Sequence, residues 1–171
     1  MDTLAAVQHA LELVRQGADI IDVGGESTRP GAQRVPAQEQ VRRVVPVIAG
    51  IRAQSPVAIS VDTTLAPVAE AALQAGAIMV NDVSGGTEHA DMLPLVARTG
   101  AWVVLMHRLT TPEQDHYSHQ YATPPVYHDV VAQVSAHLAQ RAQAAMQAGV
   151  PADRVVLDPG FGFGKIGRAH V

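Results

Sequence analysis

Ala18-Asp19-Ile20-Ile21-Asp22-Val23-Gly24-Gly25-Glu26-Ser27-Thr28-Arg29-Pro30-Gly31 is the stretch that decides the fold. Its first half is a short β-branched run closed by two glycines, which predicts a strand buried on both faces. Its second half is a loop whose glycine spacing separates two parallel architectures. A doubly wound dinucleotide-binding sheet carries G-x-G-x-x-G after its first strand, with an acidic residue about twenty positions on. Gly24, Gly25 and Gly31 do not have that spacing.

Outward from this strand the chain alternates. Before it, Leu4, Val7, Leu11 and Val14 form an apolar stripe that predicts a helix from Leu4 to Arg15, stopped at Gly17. After it, Val41, Val44, Val45, Ile48 and Ile51 predict a helix over Glu39 to Arg52, which Pro46 would bend. The cadence continues with a strand at Val57 to Asp62, a helix at Pro67 to Ala75 and a strand at Ile78 to Val83. A helix at Ala90 to Thr99, a strand at Trp102 to Met106, a long helix at Val126 to Ala148 and a strand at Val155 to Asp158 complete it. Strands that alternate with helices and carry nearly continuous apolar runs belong in a parallel sheet, because each crossover helix returns the chain to the same end. The reading is an α/β fold that forms part of a (β/α)8 TIM barrel. Such a barrel gathers its functional residues at the C-terminal strand ends. Asp22, Asp62, Asn81 with Asp82, His107 and Asp158 all fall there and are expected to share one face.

Composition narrows the classes. The chain has 171 residues, 47% hydrophobic and 16% charged, enough to bury roughly two thirds of its unfolded surface. A net charge of −4 offers no electrostatic footprint for nucleic acid or an anionic membrane. There is no Cys, which removes disulfides, thiolate zinc sites and Cys nucleophiles and suits a reducing compartment. The N-terminus has no basic and apolar leader pattern and no apolar run approaches a membrane span, so a cytoplasmic location is expected.

Two acids and an amide on one pocket floor suit a flat heterocycle with an N–H plus amino edge, such as a pterin or a guanine, since a carboxylate accepts both donors side by side. Any one of these residues has a plainer reading: Asp62, before Thr63 and Thr64, could cap the next helix. The loop from Gly24 to Gly31 combines small residues, hydroxyls and one guanidinium, a cradle for a phosphate with Arg29 as its clamp, although Arg29-Pro30-Gly31 is also an ordinary turn. Asp158-Pro159-Gly160-Phe161-Gly162-Phe163-Gly164-Lys165 fits neither a Walker A loop nor a dinucleotide fingerprint. There Phe163 could stack on a planar ligand or simply plug a barrel mouth. His107, His116, His119 and His128 make a poor zinc set, because their loop lacks a helical frame and no Cys supports it.

The motifs resemble the dihydropteroate synthase family over nearly the whole chain, from Leu4 to Lys165. Ile20 to Ala32 matches that family's second-strand signature, and Ile59-Ser60-Val61-Asp62-Thr63 its third. Val80-Asn81-Asp82-Val83, Leu105-Met106-His107 and Leu157 to Lys165 follow in the family's order. The resemblance implies that Asp62, Asn81 and Asp158 hold a pterin ring flanked by Met106 and Phe163. It places Thr28 and Arg29 at the diphosphate and p-aminobenzoate loop, with Asp62 and Asp158 in the catalytic role. The implied reaction condenses 6-hydroxymethyl-7,8-dihydropterin diphosphate with p-aminobenzoate, aided by Mg2+.

The same resemblance implies that the first barrel strand, whose loop helps hold Mg2+, and strands 7 and 8 lie outside this chain. Residues 1–165 are then one partial pterin-binding barrel domain, from helix 1 through strand 6, and no metal ligand is expected within it. Residues 166–171 do not resemble the family and are expected to be a non-native tail. Complete family enzymes tend to be homodimers, whereas the isolated chain is expected to bind pterin diphosphate weakly and turn it over negligibly. The rival readings are a pterin-binding barrel of the corrinoid methyltransferase type, which lacks the Ser27 to Gly31 loop, and a non-catalytic remnant.

Overall fold

A computed structural model describes residues 2–27, 32–111, 114, 127–163 and 165. In chain order the elements are α1 (Thr3–Arg15), β1 (Ile20–Gly24), α2 (Ala37–Arg52), β2 (Ala58–Asp62), α3 (Ala66–Gln74), β3 (Met79–Asp82), α4 (Met92–Thr99), β4 (Trp102–Met106), α5 (Val130–Gln147) and β5 (Val155–Asp158). A short 3-10 turn at Ala152–Arg154 leads into β5. Local chemistry sets several boundaries. Asp2 caps α1 by accepting from the backbone N–H groups of Leu4 and Ala5, and Asp129 caps α5 by accepting from Ala132. Helix α4 stops where Gly100 turns left-handed. Pro46 sits inside α2, where it supplies no N–H to the helix ladder.

The five strands are all parallel and lie in the order β1-β2-β3-β4-β5. A doubly wound sheet reverses its strand order at a switch point and carries helices on both faces. Here the order never reverses, and successive helices pack side by side over one face. This is the arrangement of a (β/α)8 barrel.

Register divides the sheet into two faces with the period of two that strands impose. Ile21, Ile59, Val61, Val80, Val103 and Leu105 turn toward the helices and join Val44, Ile48, Ile51, Val68, Leu95 and Val96 in one buried core. The other face carries Ile20, Asp22 and Gly24 of β1, Ser60 and Asp62 of β2, Asn81 of β3, Val104 and Met106 of β4, and Val156 and Asp158 of β5. The expectation that the first strand is buried on both faces is therefore corrected. Ile21 is buried, but Ile20, Asp22 and Gly24 are exposed, because among the described residues only the helix-bearing face is covered. No helix of the described residues is long and apolar enough to cross a membrane.

Candidate active site

The sheet brings most of the expected residues together, through pairing that no local pattern contains. Gly24 pairs with Asp62 and Asp62 with Asn81 across β1, β2 and β3. Met106 pairs with Asp158 across β4 and β5. All four polar and apolar candidates, Asp62, Asn81, Met106 and Asp158, stand at or one residue before the ends of their strands on the helix-free face. Gly24 leaves room for its neighbour, since a Cβ there would lie 3.6 Å from Asp62 Cβ. Asp62 does not cap the following helix. That helix has Leu65 as its N-cap residue, without a side-chain cap, and Thr63 Oγ1 accepts from the Leu65 N–H.

The expectation that Asp82 and His107 share the face with Asp22, Asp62, Asn81 and Asp158 is corrected as well. Adjacent strand residues point to opposite sides of a sheet, so Asp82 and His107 turn to the helix layer. Asp82 is fully buried and accepts from Ser84 N at 2.8 Å, Ser84 Oγ at 2.6 Å and Gly86 N at 3.1 Å. Burial pushes its carboxyl up while those bonds pull it down. It organises the loop after β3. His107 is buried edge-on against His137 of α5, with ring centroids 4.9 Å apart.

The loop after β5 is built on an unusual cation. Lys165 is buried, and its Nζ donates to the carbonyl oxygens of His107 at 3.0 Å, Gly160 at 2.8 Å and Phe163 at 3.0 Å. Asp158 holds the start of the same turn, accepting from Gly160 N through Oδ1 at 2.7 Å, while its backbone carbonyl accepts from His107 N. Met106 is buried with its Cγ against Gly160, so the turn lies over it rather than leaving it as an open wall. Phe163 is half-buried on this loop.

A second network ties the other strand-end loops together. Glu88 accepts from Arg34, Arg108 and Thr64, the last at 2.6 Å. Arg34 also donates to Glu26 at 3.1 Å and to Thr64 at 3.2 Å, so residues following β1, β2, β3 and β4 meet at one carboxylate. Burial pushes the Glu88 carboxyl up, but the bonds from Arg34 and Thr64 and the charge of Arg108 outweigh it and hold it below the usual range. Beneath these loops the fully buried Gln40 donates to Val35 O at 2.9 Å and accepts from Thr63 Oγ1 at 3.3 Å. Sequence reading missed Gln40, Glu88, Arg34, Arg108 and Lys165 as supports. A polar residue inside an apolar helical stripe, as at Gln40, was the available signal; each of the others has at least one partner 20 or more positions away. Thr28, Arg29, His116 and His119 lie outside the described residues, as do residues 166–171. Among the described residues, no group of three or more His, Asp or Glu side chains is placed to hold a metal ion.

The buried histidine makes a pH prediction. Burial, then the charge of Lys165 and the neighbouring His137, lower His107 from 6.5 to about 4. The unfolded chain therefore takes up this proton first, so stability is complete above pH 6.5 and is lost as pH falls toward 4. His137 is lowered too and adds to the same slope. Urea unfolding of the parent chain and His107→Phe across this range should give a difference curve that narrows at acid pH; parallel curves would remove His107 as a contributor.

The sequence profile of the family described as "Pterin binding enzyme" matches residues 1–170. Dihydropteroate synthase of Mycobacterium leprae is 48% identical over 169 residues, which cover 98% of this chain and 57% of that protein. Among solved structures, Xanthomonas albilineans dihydropteroate synthase with 4-aminobenzoic acid superposes with a TM-score of 0.83 at 45% identity, covering 95% of this chain and 55% of that one. Burkholderia cenocepacia dihydropteroate synthase complexed with 7,8-dihydropteroate gives 0.84 at 40% identity, covering 96% and 56%. The chain thus spans a little over half the length of these relatives.

Proposed function

Because the chain belongs to the pterin-binding enzyme family, we propose that its open sheet face is the ring-binding part of a dihydropteroate synthase site. One observation carries this reading: Asp62 and Asn81 are direct register partners at the C-terminal ends of β2 and β3, on the face to which Asp158 also belongs. Two carboxylates and an amide on one face suit the N–H and amino donors along one edge of a pterin. The relatives' bound 4-aminobenzoic acid and 7,8-dihydropteroate support the choice of substrates.

In the proposed reaction the C–O bond between the pterin methylene and the diphosphate breaks, and diphosphate leaves with the bonding pair. The amine nitrogen of p-aminobenzoate bonds to that carbon and releases one proton. Asp62 and Asp158, fixed before the reaction begins, stabilise the positive character that spreads into the ring as the leaving group departs. Phe163 bounds the ring, Met106 backs the site from beneath the Gly160 turn that covers it, and Thr28 and Arg29 serve the diphosphate and p-aminobenzoate side. Mg2+ usually rests on one or two carboxylates and the substrate's phosphates. When bound, it would supply positive charge to the departing diphosphate. The assigned setting is the cytoplasm, and the complete enzyme is assigned as a homodimer.

Isothermal titration of the 171-residue chain with 6-hydroxymethyl-7,8-dihydropterin diphosphate tests the proposal. Saturable binding is expected, weak because the chain spans little over half the length of its relatives, with negligible release of dihydropteroate when p-aminobenzoate is added. No binding at millimolar ligand would overturn the reading. Methyl transfer to a corrinoid would replace it with the methyltransferase reading.

A further inference from the structure

The proposed chemistry leaves Asp22 without a part, although it lies on the open face one pleat below Asp62 and Asn81. Both of its carboxylate oxygens are engaged. Asn81 Nδ2 donates to Asp22 Oδ2 at 2.8 Å, across β2 from β3 to β1, and Ser60 Oγ, on the strand between, donates to Asp22 Oδ1. An asparagine amide has two nearly isosteric orientations with opposite hydrogen-bonding sense. A carboxylate has no proton to give, so only the NH2 end of Asn81 can face Asp22. The Ser60 hydroxyl occupies the other oxygen and keeps the carboxylate from rotating toward a different partner. Asn81 Oδ1 is thereby turned off Asp22, and no described residue's hydrogen bond to it is present.

We propose that Asp22 is a positioning residue: it locks the Asn81 amide with its carbonyl as the acceptor, so that the site selects a heterocycle presenting a ring N–H over the oxidised form in which that nitrogen is itself an acceptor. The ligand class rests on the pterin reading above; the amide lock does not. A 7,8-dihydropterin carries an N8–H, whereas the aromatic pterin offers a lone pair at the same position and meets the Asn81 carbonyl acceptor to acceptor. One residue on β1 thus sets the reduction state that β3 reads, without touching the ligand.

The test titrates 6-hydroxymethyl-7,8-dihydropterin, kept anaerobic, and 6-hydroxymethylpterin into the parent chain, Asp22→Asn and Ser60→Ala. The parent should prefer the reduced pterin by about tenfold, the worth of one hydrogen bond kept against one opposed. In Asp22→Asn the new amide can face Asn81 either way, so the ratio should fall toward one, with the melting temperature and the affinity for the oxidised pterin held or raised. Ser60→Ala should fall between. In the ligand-free chain, 15N spectra should show one Asn81 side-chain proton shifted downfield and slow to exchange, and Asp22→Asn should abolish that signature. Equal weakening of both pterins in Asp22→Asn would make Asp22 a structural residue and overturn the selectivity, as would an unchanged ratio. Failure of the parent to bind either pterin would bring down the functional reading and the selectivity together, while the spectrum still decides the lock: an Asn81 amide at ordinary exposed positions overturns it.

Discussion

Gly160→Ala is expected to destabilise the chain by at least about 3 kcal/mol, the range of a strained backbone combined with overpacking. Two independent costs meet at this residue. Its φ is +64°, a left-handed conformation that a Cβ disfavours by roughly 1–2 kcal/mol. A Cβ there would also lie 2.2 Å from the His107 carbonyl oxygen and 3.1 Å from Met106 Cγ. The oxygen cannot yield, because it accepts from Lys165 Nζ, and the His107 N–H is bonded to Asp158. Relief of the clash therefore opens the Lys165 cluster and leaves buried carbonyls without a donor. Thermal unfolding followed by circular dichroism should show a drop of roughly 6–12 °C for a chain of this size. A melting temperature within 2 °C of the parent would show that the turn relaxes freely and that Lys165 does not clamp it.

For ligand binding, Asp62→Asn is expected to weaken pterin diphosphate about a hundredfold, roughly 2.7 kcal/mol. The carboxylate is read as accepting from two donors of one ring edge. The amide keeps one acceptor and turns the other into a donor, so a charge-assisted bond is lost and a donor is set against a donor. Asp62 stands half-buried at the end of β2, outside the apolar core, and the change in stability should stay below about 1 kcal/mol. Titration calorimetry on a folded Asp62→Asn chain reads both quantities. Parent-like affinity would exclude Asp62 from the ring site. Asp158→Asn is a less clean comparison, since Asp158 Oδ1 also holds the Gly160 N–H and the substitution disturbs the loop as well as the ligand.

The strand and helix alternation was legible because it rests on local patterns. All ten elements fall where apolar periodicity and the glycine stops put them, with ends shifted by a few residues. The choice of barrel over doubly wound sheet was also legible, from the spacing after β1, and the unreversed strand order agrees. The site was legible as a set of strand-end residues, but the membership of that set was not. Asp82 and His107 are expected on one face with Asn81 and Asp158, although the period of two that identifies a strand also sends neighbours to opposite faces. Applying that period to the strand ends would have separated them.

What the sequence by itself determined is what depends on nearest neighbours and repeat: the order of elements, their parallel sense, and which residue types stand at the strand ends. What only the tertiary structure decided is pairing between distant positions. Asp22, Ser60 and Asn81 belong to three different strands. Arg34 and Glu88 are 54 positions apart, and Lys165 and His107 are 58 apart. A carboxylate's role follows from which donors reach its oxygens, and that is fixed by sheet register and loop packing, to which each residue's own sequence surroundings contribute nothing readable in advance.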